Sequence, residues 1–326
     1  MKRIRIHLLA LGLLGGFATG AVLANDAYPN KPVKIVVPYP PGGPYDTIAR
    51  VLGQKAGDSL GKPFVIENRG GASGMIGSDA VAKSAPDGYT LLMGGIGPNA
   101  INASLYPKVP YDAGKDFAPV IEVLRSANIV VVNPAVKANT LAELIALIRA
   151  SNGKMSYASA GPGSSTHLFA EMFKQAQKLD LLQVPYRGDS PAVTATLGGE
   201  TPIYFASAAS IMPHIQSERL RALAVTGDRR LENLPNVPTI GEAAIPGFNA
   251  HAWYGIFAPA GTPADIVATL NRHFNAALAD PEVRTRLAGA GSAQIVGGSP
   301  ADFAKAVQTE IEKWQGVIRA GNITVD

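Results

Sequence analysis

Two glycine turns carry the residues best suited to chemistry in this chain. The first is Pro38-Tyr-Pro-Pro-Gly-Gly-Pro-Tyr-Asp46, set between an apolar run and a helical pattern. Gly42 and Gly43 let a ligand come close to the backbone and permit positive φ. A strand-to-helix turn of this kind aims free N–H groups outward, and helix N-termini favour anions. No lysine follows the glycines, so the turn is not a nucleotide P-loop. It suits a cradle for a carboxylate, lined by Gly42, Gly43, Pro44 and Tyr45. Asp46 is out of place beside an anion and fits a helix N-cap better. Tyr39 either walls the pocket or packs as a core aromatic.

The second turn is Gly161-Pro-Gly-Ser-Ser-Thr166. Gly163, Ser164, Ser165 and Thr166 stand at a helix start, where hydroxyls either cap the helix or bind an anion. Arg187, in the turn Tyr186-Arg-Gly188, either pairs with a carboxylate bidentately or is solvated. Asn99 follows a third strand and can hydrogen-bond a ligand from the first side. Ser159, Gly188 and Ser207, at neighbouring segment ends, complete the set.

Other chemistries find no support. There is no cysteine, hence no disulfide, thiolate zinc site or thiol nucleophile. His167, His214, His251 and His273 show no metal-ligand spacing, so no metal or cofactor is expected. No Gly-x-Ser-x-Gly elbow occurs, and three residues from Ser164 to His167 is not a triad signature. An exported hydrolase is therefore the lesser alternative.

These turns need elements to position them. Val33–Val37 predicts a buried strand. Residues 47–60 predict a helix with Ile48, Val51, Leu52 and Ala56 on one face. Strand and helix patterns then alternate. Strands are expected at 63–67, 89–93, 117–123 and 129–132, and helices at 76–85 and 140–151. Thr140 is the expected N-cap of the latter, with Glu143 at the capping-box position. The rhythm repeats with strands at 155–158, 182–184, 201–205 and 222–225, and helices at 167–177, 191–197 and 211–218. An apolar segment at 253–258 precedes helices at 262–279, 281–288 and 300–320, with Thr262 read as N-cap and Pro263 at N1. A strand is expected at 293–296. Alternation at this rhythm means α/β architecture with mostly parallel sheets. Two sets of βα units imply two lobes. The expected division is 25–127 plus 250–326 for lobe 1 and 128–249 for lobe 2, with crossings near Arg125–Ile129 and Asn249–Tyr254. A ligand would lie between the lobes, at the strands' carboxyl ends.

The first 24 residues read as a secretory signal. Lys2, Arg3 and Arg5 precede an apolar run, and Val22-Leu-Ala24 offers cleavage after Ala24. The signal holds three of the 29 Lys and Arg and none of the 25 acids, so the remainder carries a net charge of +1. With no basic stripe interleaved with aromatics, nucleic acid is not an expected partner. The mature chain is expected to be soluble in the periplasm, without membrane insertion, as a monomer.

Taken together, the motifs resemble a known family. They are Pro38–Asp46, Glu67-Asn-Arg-Gly-Gly-Ala-Ser-Gly-Met-Ile-Gly77, Pro86-Asp-Gly-Tyr-Thr-Leu91, Pro185-Tyr-Arg-Gly188, Leu234-Pro-Asn-Val-Pro-Thr239 and Ala258-Pro-Ala-Gly-Thr-Pro263. In this order and spacing they resemble the extracytoplasmic solute receptors of tripartite tricarboxylate transporters, the Bug family. The resemblance covers essentially the whole mature chain. It implies a two-lobed periplasmic binding protein of type II fold that closes on a small organic carboxylate. It implies transmembrane permease subunits as partners. It also implies that the loop of Ser73 lies near the ligand and that the Ser164 turn faces the cleft. The same fold serves ligand sensors that present a closed form to a signalling partner, so that alternative stays open. One departure stands out. Many relatives carry an acid at the position of Ala206, which would meet a ligand ammonium. Its absence implies a ligand without an amine, a di- or tricarboxylate or an aromatic acid such as terephthalate.

Overall fold

Val33, Ile35, Val36 and Val37 are almost wholly buried, and Lys34 alone breaks the apolar run. This composition suits a central strand covered on both faces. The computed structural model describes residues 28–288 and 293–325. The expected signal, residues 1–24, lies outside the described residues. In chain order the elements are β1 (Val33–Val37), α1 (Pro44–Leu60), β2 (Phe64–Asn68), α2 (Met75–Ala82), β3 (Thr90–Gly95), α3 (Asn102–Leu105), β4 (Phe117–Val132), α4 (Leu141–Ala150), β5 (Ser156–Ser159), α5 (Ser165–Gln177), β6 (Leu182–Pro185), α6 (Asp189–Gly198), β7 (Ile203–Ser207), α7 (Ala208–Gln216), β8 (Arg221–Val225), α8 (Ile240–Ala243), β9 (His251–Pro259), α9 (Ala264–Ala279), α10 (Pro281–Ala288), β10 (Ala293–Gly297) and α11 (Pro300–Ala320).

Strands β2-β1-β3 are parallel, and so are β6-β5-β7. Between the two trios run β9 and β4, with β10 and β8 also paired to β4. Both linking strands are antiparallel to the strands they join. The sheet is therefore mixed rather than mostly parallel. A chain that leaves one half and returns must run in opposite directions on its two crossings.

The first crossing differs from the sequence expectation. Two separate strands, 117–123 and 129–132, are one unbroken strand of 16 residues. Its stretch from Phe117 to Ala127 pairs with β9, and Asn128 to Val132 pairs with β7 and β8. Ser126 and Asn128 interrupt the apolar pattern, which hides the continuity. The sheet satisfies Asn128 in full view of its neighbours. Its N–H donates to Thr226 Oγ1 at 2.9 Å, and its side-chain amide donates to the Phe205 carbonyl at 2.9 Å.

Packing follows the helical patterns. Leu52 and Val51 of α1 join Leu270 and Phe274 of α9 in one core. Thr140 caps α4, its side chain accepting from Glu143 N–H. Thr262 does not cap α9. Pro263 holds that position, and Thr262 Oγ1 donates to the Pro259 carbonyl at 2.8 Å. Helix α11 spans both halves. Trp314 stacks on Phe169 of α5 at 5.6 Å, and Phe303 meets Trp253 and Phe257 of β9. Burying each such side chain contributes about 1.5–3 kcal/mol.

Candidate functional site

The strand-to-helix turn after β1 is built by its own residues. Gly43 is the N-cap of α1, in extended geometry and without a side-chain cap, and Pro44 takes the first helical position. Positive φ belongs to Gly42, at 86°. Asp46 is not the N-cap. It sits in the first turn, buried, and its Oδ2 accepts from Gly42 N–H at 3.0 Å. Arg50 Nε donates to both its oxygens at 3.1 and 3.0 Å, and Asn68 donates at 3.0 Å. The Arg50 guanidinium beside it holds the Asp46 carboxyl at about 2. The acid thus orders the turn and carries its own countercharge. The N–H groups of Gly43, Tyr45 and Asp46 remain for an anion. Gly42 N–H is taken, and Pro44 has none, so both can line the cradle only by shape.

Aromatic rings stand beside the turn. Tyr39 and Tyr45 lie 4.5 Å apart between centroids, and Tyr45 meets Tyr254 of β9 at 4.8 Å. All three rings are half-buried, and burial raises all three hydroxyl pKa values. Gly74 and Gly97 hold the space for Tyr39, whose hydroxyl would meet an added Cβ at 3.2 and 3.0 Å. Ser73 is exposed, and its Oγ bonds the Tyr106 hydroxyl at 2.6 Å. Its carbonyl accepts from Asn102 at 3.0 Å and from Tyr39 at 3.3 Å. Residues 71–74 all have positive φ, including Ala72 and Ser73, a strain held by these bonds.

In the other half, Ser164 caps α5. Its Oγ accepts from His167 N–H, donates to the Gly161 carbonyl at 2.7 Å and lies 2.8 Å from Thr166 Oγ1. Thr166 is buried, and its hydroxyl accepts from Ala160 N–H at 2.7 Å. Ser165 is half-buried with no side-chain hydrogen bond among the described residues, and its N–H opens the helix. At the edge of the same sheet arm, Gly188 has φ 109° and caps α6. Arg187 is exposed with no ion-pair partner among the described residues. The Ser207 hydroxyl donates to Asp189 Oδ2 at 2.9 Å, and the Tyr204 hydroxyl donates to Asp189 Oδ1.

The two halves meet at these turns. A Cβ on Gly163 would fall 2.4 Å from Leu105 of α3. Burial, and then the charge of Asp189, push the Tyr254 hydroxyl up to about 12. The rings of Tyr39, Tyr45 and Tyr254 form one contiguous series from the first turn to β9.

The structure gathers Tyr39, Gly42, Gly43, Pro44, Tyr45, Asp46 and Ser73 on one side. It gathers Gly163, Ser164, Ser165, Thr166, Arg187, Gly188 and Ser207 on the other. Three candidates are fully buried and have structural roles here. Asn99 Oδ1 accepts from Gly95 N–H at 3.0 Å, and Ser159 Oγ accepts from Gly161 N–H and Gln183. Ala206 packs in the apolar cluster under Tyr204. Sequence reasoning missed Asp189, Tyr204 and Tyr254. Asp189 follows the Tyr186-Arg-Gly188 turn and precedes Pro191, which marks a helix start; that was the available signal. Hollows lined by Arg125, His251 and Glu310 lie apart from these turns, and Arg125 and Glu310 there are already paired. Arg125 bonds Glu122 twice, at 2.5 and 2.8 Å, and Lys313 pairs with Glu310. Among the described residues, no three His, Asp or Glu cluster as metal ligands, and no helix is long and apolar enough to cross a membrane.

A family model described as the tripartite tricarboxylate transporter family receptor matches residues 48–323. The chain belongs to that family. The receptor is 39% identical over 314 residues to Protein BugT of Bordetella pertussis, covering 95% of this chain and 96% of the relative. It is similar to an R. palustris protein solved with adipate, at 34% identity and TM-score 0.78, covering 91% of this chain and 99% of the other. It is similar too to MatC from Rhodopseudomonas palustris with bound malate, at 34% identity and TM-score 0.74, covering 89% and 100%. The two-lobed α/β fold of the receptor is that of these structures. Its family is one of receptors, not an enzyme class.

Proposed function

We propose that this receptor is a periplasmic protein that captures a small organic carboxylate between its lobes. The ligand is a di- or tricarboxylate or an aromatic acid, and it is delivered to the permease of a tripartite tricarboxylate transporter. The observation that carries the reading is the uncapped start of α1. It leaves the Gly43, Tyr45 and Asp46 N–H groups without an intrahelical partner, while Arg50 neutralises the one nearby acid. Such a turn favours an anion without a mobile countercharge. Ser165 and Arg187 are the matching donors on the second lobe. We place the lobe boundaries at 127/128 and 249/250, since β4 changes partner between Ala127 and Asn128. The relatives solved with adipate and malate support the ligand class.

A thermal-shift and calorimetry panel of adipate, succinate, malate, citrate and terephthalate tests this. A ligand at a hundredfold excess over its Kd adds about 2.7 kcal/mol of stability. At least one acid is expected to do so. A folded protein that none of them shifts would defeat the reading.

A further inference from the structure

We propose that Asp189 selects the ligand by accepting a hydrogen bond from it, so that the site takes a small carboxylate also bearing a hydroxyl or ammonium group. This rests on the receptor reading above.

Asp189 opens α6 immediately after Gly188. Both of its carboxylate oxygens are held from β7: Oδ1 accepts from the Tyr204 hydroxyl, and Oδ2 accepts from Ser207 Oγ at 2.9 Å. Ser207 is itself braced by Ser210, whose Oγ lies 2.8 Å away. These donors fix the plane of the carboxylate. A carboxylate has about four acceptor positions, so about two remain. Among the described residues, no Lys, Arg or His comes within ion-pair distance of it. Arg187, two residues earlier, does not pair with it either. Tyr254 of the other lobe is near enough for its hydroxyl to feel the charge. The half-buried Asp189 carboxylate, held in one orientation beside the Gly188 turn, keeps acceptor positions that a ligand donor can fill. A ligand carboxylate set against it would be repelled. A hydroxyl or an ammonium would be bonded.

This reverses the inference drawn from Ala206. The acid absent from β7 is present in space, one hydrogen bond from the next residue of that strand. The argument against an amine loses its premise.

The test is titration of the mature chain with succinate, malate and aspartate, which differ only in the added group. Malate or aspartate is expected to bind at least tenfold tighter than succinate, and comparing the two tells hydroxyl from ammonium. In Asp189→Ala the preference should fall below threefold, with succinate binding retained or tightened. Should that variant fail to melt cooperatively, Asp189→Ser replaces it with the same expectation, since serine keeps a polar group at the helix start. A tenfold preference that survives in the variant overturns the inference. So does succinate binding tightest to the unaltered protein. Both outcomes leave the receptor reading standing. Failure of every acid in the wider panel removes the receptor reading, and this inference with it.

Discussion

Replacing Gly43 with valine should separate binding from folding. Gly43 has φ −81° and ψ 175°, a geometry open to any residue. An added Cβ would meet only the Pro40 carbonyl oxygen, at 3.9 Å. Valine in place of glycine at an N-cap costs on the order of 1 kcal/mol. Lower freedom in the unfolded chain returns about 0.4–1 kcal/mol. The fold should therefore be nearly indifferent. Binding should not be. The side chain would stand where an anion must reach the Gly43, Tyr45 and Asp46 N–H groups. Hydrogen bonds to charged groups contribute about 1.5–3 kcal/mol each, so losing two costs about 3–6 kcal/mol. That is a rise in Kd of at least about 100-fold. Calorimetry with malate and adipate reads the affinity, and thermal melting reads the fold. The expected result is a hundredfold weaker Kd with Tm changed by no more than about 4 °C. Unchanged affinity in a folded variant refutes the cradle. A large fall in Tm refutes the claim that space at Gly43 is reserved for ligand.

Asp46→Asn should cost about 1–2 kcal/mol at neutral pH, after discounting for the half-exposed Arg50. The folded pKa is about 2, against about 3.9 unfolded. The advantage of the native acid is therefore complete above about pH 4–5 and lost as pH falls toward 2, as denaturant titrations across that range will reveal. Gly255→Ala would place a Cβ 2.2 Å from the Phe303 ring and 2.8 Å from the Ile121 carbonyl oxygen. Overpacking of about 1–3 kcal/mol should lower Tm by several degrees, and an unchanged melt would contradict the tight fit of β9 on α11. N-terminal sequencing of exported protein should begin at Asn25; a retained Met1 would count against the signal reading.

The alternation of apolar runs and helical faces was enough to place nearly every element, because β1, α1 and α4 carry their own punctuation. Pro44, Thr140 and the glycines act over a few residues, within reach of pattern reading. Some misses are local, such as Thr262, which bonds the Pro259 carbonyl and leaves the cap position of α9 to Pro263, but those at the site are long-range. Asn128 looks like a break in a strand until Thr226 and Phe205 arrive to bond it. Ser159 and Ala206 look available in the sequence, yet the turn around Ser159 consumes it and neighbouring apolar side chains bury Ala206; Asn99 spends its Oδ1 on Gly95 and keeps a buried Nδ2 that has no partner among the described residues. Asp46 reads as a cap because acids near glycines usually are. Only Asn68, 22 residues on, and Arg50 turn it into a bonded hub. Asp189 reads as a turn acid, and its orientation depends on Tyr204 and Ser207, residues that sequence spacing does not connect to it.

The double membership of β4 has a mechanical consequence. A loop joint concentrates rotation in one or two dihedral pairs and swings freely. A strand bonded to β9 up to Ala127 and to β7 and β8 from Asn128 onward has no such joint. Any turning of one half against the other must be absorbed as extra twist spread over several peptide units. The segment then behaves as a torsion bar, with a resting angle and a restoring torque. Small Ser126, Ala127 and Asn128 stand where its partners change, and Asn128 pairs directly with Ser207 of the candidate site. Substitutions there should change the torque that resists turning of one half against the other.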